Sequence, residues 1–149
     1  MTIKFLGFCL LALSVGTHAA SAGTVLITRK EAALPPASTA KTIATSTRGI
    51  TRRPSLVLIS PVASVISPFT LKIGFRTYGG STIRPRSFKA AYLKNPNVDL
   101  TARIMPYVTA TGVKMEGAEA PPGHHQIVFK IEDSDGREGT AVFTLDVLK

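Results

Sequence analysis

Apolar and polar positions alternate most regularly at the end of the chain. Ile127, Phe129 and Ile131 alternate with Gln126, Lys130 and Glu132, and Ala141, Phe143, Leu145 and Val147 alternate with Thr140, Thr144 and Asp146. A period of two is that of a half-buried strand. Only Val128 and Val142 interrupt the polar faces. Between the two runs, Asp135-Gly136 tolerates positive φ, so the pattern predicts a β-hairpin whose apolar face another sheet must cover.

The preceding residues supply candidates for that sheet. Leu56-Val57-Leu58-Ile59, bounded by Pro54 and Ser60-Pro61, reads as a first strand, with a turn region following up to Pro68. Phe69, Leu71, Ile73 and Phe75 alternate with Thr70, Lys72, Gly74 and Arg76 in a second, and Phe88, Ala90 and Tyr92 face inward in a third. A helical turn capped by Asp99 or Thr101 and ended by Pro106 follows, then short strands at Tyr107-Val108-Thr109-Ala110 and Val113-Lys114-Met115. About seven short strands in about 95 residues predict an all-β, immunoglobulin-like antiparallel β-sandwich over residues 54–149, with a small barrel as the alternative.

The first 53 residues read differently. Lys4, the apolar run of residues 5–15 and Ala20-Ser21-Ala22 before Gly23 make residues 1–22 a secretory signal peptide, too short in its apolar part to span a membrane. Gly23-Thr24-Val25-Leu26-Ile27-Thr28 is β-prone, and Arg29 to Leu34 suits a helical turn or two before Pro35-Pro36. Residues 37–53 are Ser, Thr, Ala, Lys and Arg without either period, so residues 23–53 as a whole are predicted to be a flexible basic linker. Cys9, the single cysteine, lies in the signal, and Phe8 stands where lipid attachment would need a small residue. The exported chain is thus expected to lack disulfides, and its predicted location is the bacterial periplasm or the medium.

Charge sharpens this picture. The net charge is +9, and residues 23–98 hold twelve Lys and Arg against Glu31 alone, whereas residues 99–149 hold five basic and eight acidic residues. A positive field favours polyanions, and export makes an anionic envelope component, or a protein partner, the expected target rather than nucleic acid.

The chain from Pro54 onward resembles the bacterial Ig-like modules of exported proteins, and the whole chain resembles small secreted proteins of proteobacteria. The resemblance is carried by Ser60-Pro61, by Pro68-Phe69-x-Leu71-x-Ile73-x-Phe75, by Val98-Asp99-Leu100-Thr101, by Pro121-Pro122-Gly123-His124 and by the Asp133-x-x-Gly136-Arg137 turn. It implies a sandwich fold and little about activity, because one sandwich hosts many functions.

Candidate chemistry is sparse. Arg84, Arg86, Lys89 and Lys94 surround the third strand with Tyr92 among them, and with Arg52 and Arg53 they form the predicted polyanion- or partner-binding set. A metal site built from His124, His125, Asp133 and Asp135 is the alternative, although neighbouring strand residues point to opposite faces. Asp133-Ser134-Asp135-Gly136 opens like an EF-hand loop but lacks the later ligands. No nucleophile elbow, metalloprotease motif or cofactor fingerprint is present, so a non-catalytic module without a cofactor is expected, and a small envelope hydrolase is the weakest reading.

Overall fold

In the computed structural model, residues 23–37 and 52–149 are described. The predicted signal peptide and residues 38–51 of the predicted linker lie outside them. Nine strands form: β1 (Thr24–Val25), β2 (Ser55–Ser60), β3 (Val65–Ile66), β4 (Phe69–Arg76), β5 (Ile83–Tyr92), β6 (Val98–Asp99), β7 (Gly112–Glu119), β8 (Gly123–Asp133) and β9 (Glu138–Leu148). Among the described residues, helices are limited to α1 (Arg29–Ala32), α2 (Thr101–Ile104) and a 3-10 turn, Met105–Tyr107.

The strands make two sheets, ordered β1-β7-β4-β2 and β3-β9-β8-β5-β6. Leu71, Ile73 and Met115 of the first meet Phe88, Ile127, Phe129 and Ile131 of the second in one buried core. Phe75 and Phe88 bridge the layers with ring centroids 6.3 Å apart, and Phe129 continues the stack toward Phe143. The fold is therefore all-β and two-layered, as the period-two patterns require.

The predicted hairpin is β8-β9, in unbroken antiparallel register from Gly123↔Val147 to Glu132↔Glu138. Gly136 at its tip has φ 75°, and the Asp133 carboxylate ties the turn by accepting from the backbone N–H groups of Asp135 and Arg137. Arg137 Nε donates to Asp133 Oδ2 at 2.8 Å and its Nη2 donates to Asp135.

Three expectations need correction. Val65–Ile66, within the expected turn region, pairs in parallel with Val147 and Leu148, so the chain leaves β2 in one sheet and enters β3 in the other. Tyr107-Val108-Thr109-Ala110 is not a strand: Tyr107 ends the 3-10 turn and only Val108 bridges, to Val113. Most important, residues 23–37 are part of the fold. Leu26 and Ile27 are buried in the core, and their N–H groups both donate to the Glu119 carbonyl. Thr28 and Glu31 form a reciprocal capping box on α1. Arg103 of α2 then clamps Glu31 with two hydrogen bonds of 2.7 and 2.9 Å. The β-prone run and the helical turn here are each too short to stand alone in the sequence; Leu26 and Ile27 are buried only against distant strands.

Candidate functional site

Taken one by one, the predicted binding residues are scattered. Tyr92 is 1% exposed, so it is a core residue and no contact for a partner. Its hydroxyl donates to Nδ1 of buried His125 at 2.8 Å, and His125 Nε2–H donates to the Pro121 carbonyl at 2.7 Å. Lys94 is committed as well: its Nζ donates to the Ala32 carbonyl at the end of α1 and lies 5.3 Å from the Tyr92 ring centroid. Lys94 thereby helps to seat residues 23–37.

Arg84, Arg86 and Lys89 are exposed on β5. Arg84 donates to the Ser134 carbonyl in the hairpin turn at 2.9 Å. Lys89 faces Lys130 across β5-β8, but the depression of about 320 Å³ beside them is also lined by Asp99, Glu132 and Glu138. Lys130 is already paired with Glu138 at 3.2 Å. Two cations among three carboxylates do not favour a polyanion. Arg52 and Arg53 are exposed where the chain enters β2, and the Arg52 stem packs beside Gly79.

The four metal candidates are not brought together. His124 and His125 stand at one end of β8 and Asp133 at the other, eight residues or about 27 Å along the strand. His124 is exposed and pairs with Asp146, while His125 is buried. Asp133 is fully buried, and Arg137 and the turn amides take its oxygens. Burial pushes its carboxyl upward, but those hydrogen bonds prevail and hold it below the usual range. Among the described residues, no group of three His, Cys, Asp or Glu is placed to hold a metal.

A different surface gathers positive charge. On the outer face of the first sheet, Lys72 of β4 stands directly opposite Lys114 of β7, and exposed Arg76 lies further along β4. Glu116 is the neighbouring carboxylate and contacts Lys114 at 2.6 Å. A hollow of about 310 Å³ opens beside the lysines, floored by Gly74 and Gly112 and rimmed by Ile59, Thr109 and Thr111. Gly74 keeps it open, since a Cβ there would lie 3.0 Å from Ile59 Cδ1. Entry through Arg52 and Arg53 leads into β2 beside this face, because Ser55 pairs with Arg76. Lys72 and Arg76 were legible as the polar side of a strand; their juxtaposition with Lys114 depends on a register between segments about 40 residues apart.

No protein-family model matches this chain, and no curated protein matches it. The surface chemistry therefore carries the functional argument. Neither histidine is hydrogen-bonded to a serine or threonine hydroxyl among the described residues, and no described helix is long and apolar enough to cross a membrane.

Proposed function

We propose that the protein is an exported, non-catalytic Ig-like binding module of the bacterial periplasm or medium, and that it attaches to an anionic envelope component. The Ig-like reading draws support from strand order. A first strand beside the second in one sheet, continuing as a short strand parallel to the last strand in the other, matches the division of A and A′ in such sandwiches. The β9-β8-β5-β6 order likewise matches G-F-C-C′. In place of a D strand this chain carries α2 and the 3-10 turn, and β1 takes the position beside β7.

The observation that carries the binding reading is the Lys72↔Lys114 register with Arg76 on the same face. Like charges directly opposite each other on a sheet repel; Glu116 offsets part of this at Lys114, and an anionic partner seated on that face offsets the rest. The binding set thus moves from β5 to β4 and β7, with Arg52 and Arg53 retained at its margin.

Co-sedimentation with anionic phospholipid vesicles and with purified cell-wall polymer, across a salt series, tests this reading. Binding is expected to fall steeply with salt, and Lys72→Glu with Lys114→Glu to weaken it by about tenfold, or ~1.4 kcal/mol. Arg84→Glu with Arg86→Glu is expected to leave it within about twofold, since those residues lie on the other sheet. Equal losses from both pairs would reduce the attraction to net charge and remove the assigned face.

A further inference from the structure

Glu119 organises the first of the described residues. Its carbonyl accepts from Leu26 and Ile27, and its backbone pairs with Val25 in the parallel β1-β7 ladder. Its side chain reaches back to Gly23, where Oε1 occupies the space a Cβ would fill. No residue other than glycine fits there without moving the carboxylate. Thr24 fixes the same end through a 2.9 Å hydrogen bond between its hydroxyl and that of Tyr107. The Glu119 carboxylate has no hydrogen bond or ion pair with a side chain among the described residues, although Arg29 lines the same hollow. Gly23 is also the residue that follows Ala20-Ser21-Ala22, the small-residue pattern of a signal-peptidase site.

We infer that cleavage between Ala22 and Gly23 creates the partner of Glu119: the α-ammonium released on Gly23 pairs with its carboxylate and locks β1 against β7. Hydrolysis of the Ala22–Gly23 peptide consumes one water and leaves a carboxylate on the leader and an ammonium on the product. Before cleavage the Gly23 nitrogen is a neutral amide; afterwards it is a cation one bond from the Cα against which the Glu119 carboxylate packs. The strand that places Leu26 and Ile27 in the core is thus fastened by the processing event itself. This inference rests on the export reading.

The test begins with the full chain, leader included, expressed in a bacterium that exports it. Intact-mass measurement of the product is expected to place its N-terminus at Gly23. The melting temperature is then compared before and after selective acetylation of the α-amine, in the native sequence and in Glu119→Gln. Acetylation is expected to lower Tm by about 2–4 °C when Glu119 is present and to change little in Glu119→Gln, as for a single partly exposed ion pair. Equal shifts in both proteins overturn the pairing while leaving export intact. A product cut elsewhere, or not cut, overturns the processing site and the export reading with it.

Discussion

His125 shows how one position on a strand acquires a fixed protonation state. Its Nε2 proton goes to the Pro121 carbonyl, and in the neutral ring that burial favours, Nδ1 accepts the Tyr92 hydroxyl. Burial holds its pKa below the ordinary histidine value, with a smaller opposing contribution from Pro121. The unfolded imidazole takes up a proton near pH 6.5, the folded one only at lower pH. Stability from this group is therefore complete above about pH 6.5 and declines as pH falls below it. Thermal melts should show Tm dropping between pH 6.5 and 5, and His125→Gln should flatten that interval; an unchanged slope would place the titration elsewhere. Tyr92→Phe leaves Nδ1 without its donor in the core and is expected to cost about 1–3 kcal/mol in denaturant unfolding. That His124 and His125 face opposite ways was legible from strand geometry alone. What each one meets was not, because Tyr92, Pro121 and Asp146 arrive from elsewhere in the chain.

At the scale of elements, the N-terminal segment is the place where composition misled and local spacing did not. The aperiodic basic residues after Ala37 made the whole of 23–53 read as linker, yet Thr28-x-x-Glu31 is the spacing of a capping box, and α1 starts there. Docking it takes two large side chains and a clamp. Burial of Leu26 and Ile27 contributes about 3–6 kcal/mol together, a large share of the 5–15 kcal/mol typical of a domain. Removing residues 23–37 is therefore expected to lower the denaturant midpoint sharply or to prevent folding, whereas removing a true linker would leave it unchanged. The clamp has its own pH signature. Arg103 beside Glu31 lowers the carboxyl to about 2, with Thr28 assisting and burial opposing. The clamp stabilises fully above about pH 4.5 and is lost as pH falls toward 2. Glu31→Gln should thus destabilise the protein at pH 7 and converge with the native sequence near pH 2, a window separate from that of His125.

At the scale of the whole molecule, the ends of the sheets are where another copy of the chain could add a strand. β6 covers only Ala91 and Tyr92 of β5, and the start of α2 satisfies Ala90 through Leu100 and Thr101. Upstream, the register slips between Arg84 and Lys89, and Ser87 Oγ takes the place of a backbone partner by accepting from Glu132 N. Arg84-Pro85-Arg86 occupies this bulged stretch. A bulge, a proline without an N–H and flanking cations are the standard protections of an exposed strand edge. Arg84 and Arg86 stood out in the sequence as binding candidates because clustered cations read alike whether they attract a ligand or repel another copy of the chain. Their position at an edge that no described strand covers separates the two meanings. Replacing Arg84, Pro85 and Arg86 together by threonine keeps β propensity and removes the proline and both cations, leaving the bulge. Sedimentation velocity should then show concentration-dependent association of the variant at tens of micromolar, while the native chain sediments as one species. If the variant remains monomeric while binding to anionic vesicles falls instead, the edge was protected by the bulge alone and the arginines belong with the basic face.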